Sequence, residues 1–182
     1  VTGCDGHPGP PPEPTQPSAT QTSIQTTTPT APELNHDNLS TLLTPLIEVV
    51  EKCENGFYGL DVDPSNDYVI TTPGCRSISE AKAYLSQFLS PAMMEKYVKA
   101  DALIEKDGAL YCRPPETDAD RWQLVYHVSG AKIVSKQDGV YEVEIPLFRK
   151  HNGSFVSTDL LRVQYVGDSF QLLDIVYGAI AP

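Results

Sequence analysis

Carboxylates on alternate residues are the first arrangement in this chain that could do chemistry. The run Asp61-Val62-Asp63-Pro64-Ser65-Asn66-Asp67 is similar to the start of a calcium loop, where oxygen-bearing side chains on every second residue point inward. It departs at the fourth position (Pro64), at the sixth (Asn66 in place of glycine) and at the twelfth (Thr72 in place of an acid). A polar loop is therefore the expectation, with no metal. A second acidic segment, Pro114-Pro115-Glu116-Thr117-Asp118-Ala119-Asp120-Arg121-Trp122, carries three acids beside the one tryptophan. Its prolines stiffen it, so Glu116, Asp118 and Asp120 could form a partner surface with Trp122 as its anchor. The plainer account is a solvated connector whose Trp122 starts a strand.

Tyr126, His127, Tyr141 and Asp174 are the residues on expected strands that could face a pocket. Asp174 stands out within the apolar run Leu172-Leu173-Asp174-Ile175, since a buried carboxyl, or the imidazole of His127, could carry a proton. No spacing pairs an acid with a base, so no catalytic residue is assigned. Cys53, Cys75 and Cys112 make an odd number of thiols in the folded part. Outside the cytoplasm that number suits one disulfide and one buried thiol. Cys53–Cys75 would close the acidic loop; Cys75–Cys112 is the other pairing, and both stay open. No two cysteines or histidines stand at zinc-ligand spacing.

The elements that must hold these groups follow from periodicity. Leu39, Leu42, Leu43, Leu46, Ile47 and Val50 repeat as one helix face, predicting a helix from about Asn38 to Cys53 that stops by Gly56. Ser77 and Glu80 form a capping box at the start of a second helix, and Ser90-Pro91 opens a third, short one. From Leu103 onward the period becomes alternating. Asp107-Gly108 is a strong hairpin signal, and further turns are marked at Gln137-Asp138-Gly139, His151-Asn152-Gly153 and Gly167-Asp168. Tyr141, Val143, Ile145 and Leu147 form one face of a strand, and Leu161, Val163 and Tyr165 one face of the next. Helices followed by an antiparallel meander predict an α+β fold, with a curved antiparallel sheet against N-terminal helices. The order is similar to an NTF2-like or cystatin-like cone.

Three of the 24 acidic residues (Asp5, Glu13, Glu33) and none of the 13 basic ones precede residue 36. The remainder thus holds 21 acids against 13 bases, a net charge of −8. Such a field repels phosphate backbones and anionic headgroups, so no nucleic-acid partner is expected, and a basic partner would be favoured. Residues 5–33 contain eight of the sixteen prolines and almost no large apolar side chain, too little to offset the entropy of ordering. They predict a tether over residues 1–35 that reaches roughly 90 Å when extended, with a single domain over 36–182. The opening Val1-Thr2-Gly3-Cys4 resembles the end of a bacterial lipoprotein signal, which implies lipidation of Cys4, export, and membrane attachment through the lipid.

Phe88-Leu89-Ser90-Pro91, Tyr97-Val98, Asp107-Gly108-Ala109-Leu110-Tyr111 and the last strand from Phe170 to Ile175 together resemble the bacterial cell-wall DL-endopeptidase inhibitor family. The similarity covers roughly residues 76–177. It implies an exported, non-enzymatic protein that binds NlpC-type peptidoglycan hydrolases with its loops and blocks their clefts, without a cofactor. The acidic loops, Glu116 to Trp122 and Asp61 to Asp67, are then the candidate partner surface, and a monomer is expected. A pocket between sheet and helices that binds a small molecule or cell-wall fragment is the alternative. An enzyme of the same fold would need Asp174 or His127 lining a cavity.

Overall fold

The computed structural model describes Gly3, Gly9, residues 31–115 and residues 124–180. The compact unit spans Ala31–Pro182, so it takes in residues that precede the first helical stripe. Leu34 is buried, and its N–H donates to the Tyr141 hydroxyl at 3.2 Å.

Helix α1 runs Leu39–Glu54, because Leu39, Leu43, Leu46, Ile47, Val50 and Cys53 bury one continuous face. It ends in a Schellman turn: Gly56 adopts φ +81°, its N–H donates to the Cys53 carbonyl at 3.1 Å, and the Phe57 N–H donates to the Lys52 carbonyl at 2.8 Å. Helix α2 (Ile78–Leu85) starts with the expected cap. Ser77 Oγ accepts from the Glu80 N–H at 3.2 Å, while Glu80 Oε2 accepts from the Arg76 N–H at 2.8 Å and the Ser77 hydroxyl at 3.1 Å. Those donors hold the Glu80 carboxyl below the usual range. Helix α3 (Pro91–Tyr97) has Pro91 in its first turn and Ser90 as its cap.

The strands form two antiparallel sheets, where the sequence pattern predicts one. The small sheet has the order β1–β2–β4–β3, from Val62–Asp63 (β1), Val69–Ile70 (β2), Leu103–Lys106 (β3) and Ala109–Cys112 (β4). Asp107 and Gly108 join β3 to β4 with φ of 52° and 75°, the left-handed pair that a two-residue hairpin turn needs. The large sheet contains β5 (Leu124–Tyr126), β6 (Lys132–Gln137), β7 (Val140–Arg149), β8 (Phe155–Val166) and β9 (Ser169–Ile180). Its order is β5–β7–β8–β9, with β6 also paired to β7. Strand β5 takes the Leu147–Arg149 end of β7, and β6 takes the Val140–Glu144 end.

The large sheet curls around α1, which packs on β9 and β5, while α3 packs on β9. On β7 the predicted face Tyr141, Val143, Ile145 and Leu147 is buried residue for residue. Leu43, Leu46, Leu85, Leu89, Ile145, Leu161 and Leu172 complete the core, each 1% exposed or less. The plan is α+β, as the periodicity predicts.

The expected disulfide is absent. Cys53, Cys75 and Cys112 are free and buried. Burial raises all three thiols above their ordinary range, Cys112 to about 11, because a thiolate there would lose its hydration. They pack as small apolar side chains.

Candidate functional site

One cavity of about 470 Å³ opens between the C-terminal ends of α1 and α3 and the large sheet. Five elements supply most of its polar groups, and the turn after α1 adds Tyr58. The last turn of α1 brings Glu51 and Glu54, the end of α3 brings Lys96 and Tyr97, β5 brings Tyr126, β8 brings Asp159, and β9 brings Tyr177. Leu124 and Leu147 supply apolar wall. A concave site with a few convergent polar groups is the usual form of a small-molecule site.

Glu54 Oε1 accepts from the Tyr97 and Tyr177 hydroxyls, each at 2.5 Å, and the two phenol oxygens lie 3.0 Å apart. Asp159 is only 1% exposed, which at such burial demands partners for its carboxylate. It has three: the Tyr126 hydroxyl at 2.6 Å to Oδ2, and the Gly178 N–H at 2.8 Å and the Ser157 hydroxyl at 3.2 Å to Oδ1. Gly178 can reach it because β9 leaves the regular ladder between Val176 and Ile180 and turns there with φ +59°. Glu51 Oε1 accepts from the Tyr126 N–H at 2.7 Å.

Burial, reinforced by the adjacent carboxylates, pushes the Tyr97, Tyr126 and Tyr177 phenols well above their usual range. They remain protonated donors at neutral pH. Burial also raises the Glu51 carboxyl. Among the described residues, no lysine, arginine or histidine forms an ion pair with Glu51, Glu54 or Asp159. The cation on the cavity wall, Lys96, instead places its Nζ over the Tyr177 ring at 4.6 Å from the centroid and 5.7 Å from that of Tyr97. No group of three or more His, Cys, Asp or Glu among the described residues is placed to hold a metal ion.

Of the four residues expected to line a pocket, only Tyr126 does. Tyr141 is buried in the core, edge-on to Phe170, with its hydroxyl accepting from Leu34. His127 lies one residue beyond β5 and is exposed, its ring stacked on Phe148 at 4.1 Å. Asp174 is exposed as well. The cause is a bulge: Val163 pairs with Leu172 but Arg162 pairs with Asp174, so Leu173 is an extra residue in β9. One inserted residue reverses the facing of everything after it. Phe170 and Leu172 are buried before the bulge and Ile175 after it, which turns Asp174 outward. The acid–base reading built on His127 and Asp174 falls with these positions.

Asp61, Asp63 and Asp67 lie in and beside the β1–β2 hairpin, away from the cavity. Asp61 pairs with Lys52 at 2.7 Å, Asp63 accepts from the Ser65 N–H and hydroxyl, and Asp67 is exposed. Cys4, Glu116, Asp118, Asp120 and Trp122 lie outside the described residues.

Glu51, Glu54, Lys96, Tyr97, Asp159 and Tyr177 were not read as site residues from the sequence, although two carried a signal. Leu43, Ile47, Val50 and Glu54 continue one 4–3–4 helical stripe, so the acid falls on the buried face. The alternation of Leu161 and Val163, extended back by two, puts Asp159 on the inward face of β8. No protein-family model matches the chain, and no curated protein matches it.

Proposed function

We propose that this is an extracytoplasmic binding domain that holds a small ligand in the cavity between α1, α3 and the large sheet, without catalysis of its own. The finer fold we propose is the NTF2-like cone, whose sheet and helices enclose such a space, and the attachment is a lipid on Cys4. The observation that carries this reading is the convergence of Glu54, Tyr97, Tyr126, Asp159 and Tyr177 from five elements onto one open cavity. A buried carboxylate with its own set of donors adds nothing to packing that an apolar side chain of that size would not, so its presence beside an accessible void suits a site. The test is a fragment screen followed by NMR. Hits that move the resonances of Tyr97, Tyr126, Tyr177 and Leu124 support the proposal; a broad library that leaves all four unmoved refutes it.

A second reading keeps the resemblance to the cell-wall hydrolase inhibitors. Its support is the β1–β2 hairpin, with Asp67 exposed at its tip and Asp61 and Asp63 half-buried beside it, on a domain with excess negative charge, which would steer a basic partner. The chain would be added to a peptidoglycan digestion by NlpC-type endopeptidases. Loss of hydrolysis, relieved by reversing charge at Asp61, Asp63 and Asp67 or at Glu116, Asp118 and Asp120, supports it. Undiminished hydrolysis across several such enzymes ends it.

A further inference from the structure

Donors and acceptors are unbalanced among the acids and three of the tyrosines of the cavity. Each phenol has one proton to give, and those of Tyr97 and Tyr177 go to Glu54 while that of Tyr126 goes to Asp159. None of these three hydroxyls is left to donate to a ligand. What remains on offer from them and from the acids is lone pairs, negative charge and ring faces. Among the described lining residues, three carboxylates stand against the one ammonium of Lys96.

A second observation is independent of the acids. Two of the aromatic rings already attract an ammonium: Lys96 Nζ lies 4.6 Å from the Tyr177 centroid and 5.7 Å from that of Tyr97. Both distances are within the roughly 6 Å reach of a cation–π contact. Lys96 is exposed and flexible in kind, on the outer part of a short helix, so its head is free to swing away into water. It marks the position that a ligand cation would take, and it would compete for that position.

Resting on the ligand-binding reading of this cavity, we propose that the ligand carries an ammonium group, held between the Glu54 carboxylate and the ring faces of Tyr97 and Tyr177. Anionic ligands meet three carboxylates, and neutral polyols find these tyrosine hydroxyls already committed. A primary or quaternary amine meets acceptors and π faces, and its body can lie on Leu124 and Leu147. The two charged residues act in opposite directions: Glu54 draws the ligand in, and Lys96 opposes it.

Calorimetric titration of the full chain tests this with three probes of one shape. They are choline, the alcohol in which carbon replaces its quaternary nitrogen, and the carboxylate of that carbon skeleton. Choline should bind about tenfold tighter than its neutral counterpart, as a partly desolvated cation–π contact with a nearby carboxylate predicts. Glu54→Gln should remove most of that advantage and Lys96→Met should increase it, each read as the ratio of choline affinity to neutral-probe affinity. Lys96 is exposed, so that variant does not disturb the core. Equal or tighter binding of the neutral or anionic probe overturns the ammonium proposal and leaves cavity binding standing. The ammonium proposal is equally overturned if none of the three binds while fragments of other chemistry occupy the cavity. If no compound of any chemistry occupies it, both readings fall.

Discussion

Replacing Tyr126 with Phe removes one oxygen from the contacts of Asp159, the least exposed charged side chain among the described residues. Asp159 is 1% exposed and takes three donors, of which the Tyr126 hydroxyl at 2.6 Å is the shortest. A hydrogen bond to a charged group contributes about 1.5–3 kcal/mol, and short O–H to carboxylate bonds belong to the stronger class. The Gly178 N–H and Ser157 hydroxyl remain, so Asp159 is left under-satisfied but not bare. We expect Tyr126→Phe to cost about 2 kcal/mol, a fall in Tm of about 4–8 °C for a domain of this size. Asp159→Ala strands the Tyr126 hydroxyl and the Gly178 N–H, and should cost about 3 kcal/mol. In the Asp159→Ala background, Tyr126→Phe should then cost less than about 0.5 kcal/mol, giving a coupling of about 1.5 kcal/mol or more. Urea unfolding followed by circular dichroism measures all four corners of the cycle. Strictly additive effects would show that the two side chains do not act as a pair and would refute this account of the cavity wall.

Gly59 stands at φ +78°, and a Cβ there would lie 2.7 Å from Leu85 Cδ2, 3.0 Å from Val49 Cγ1 and 3.1 Å from Cys53 Sγ. Gly59→Ala should therefore cost about 3 kcal/mol, strain plus overpacking, whereas Gly139→Ala, at the same φ but meeting only Gln164 Nε2 at 3.9 Å, should cost about 1–2 kcal/mol in thermal or urea melts. Burial raises Tyr84, Tyr97, Tyr126 and Tyr177 above the ordinary phenol range. The folded state thus retains protons that the unfolded chain loses near pH 10, so this stability is complete below about pH 10 and declines as pH rises further. Ultraviolet titration should show Tyr97 and Tyr126 ionising only with unfolding; a complete phenolate signal from the folded protein would contradict it. Cys53, Cys75 and Cys112 should resist a thiol reagent until the domain unfolds and then react as three thiols. Rapid labelling of any of them, or a mass showing a disulfide, would overturn their assignment as buried and free.

What the sequence makes legible is local. The 3.6-residue stripe on α1, the Ser77–Glu80 cap, Pro91 at the start of α3 and the Asp-Gly turns each state their structure within a few neighbours, and each forms where expected. The cavity is not local. Its central contact joins Glu54 to Tyr177, 123 residues apart, and only the closure of α1 and α3 onto β9 brings them together. Alternation misplaced Asp174 because it cannot register the extra residue Leu173, and that bulge decides which side chains of β9 face inward. Cysteine counting failed for another reason: it weighs compartment and parity, and the three thiols are accommodated as core side chains. Strands β3 and β4 are legible as a hairpin, whereas β1 falls in what reads as a polar loop; their joining into a second sheet depends on which edges pair, which no single segment encodes.

The most direct test of the cavity as a ligand site is to fill it. Leu124 is a half-buried part of its wall, and Leu124→Trp should occupy the space without breaking a polar contact. Melting temperatures of wild type and variant would be recorded over a rising concentration of choline. A ligand that binds only the folded state raises stability by about 2.7 kcal/mol at a hundredfold excess over Kd. The account predicts a rise in Tm with choline for the wild type and none for Leu124→Trp. An equal rise in both would place the binding elsewhere and contradict it.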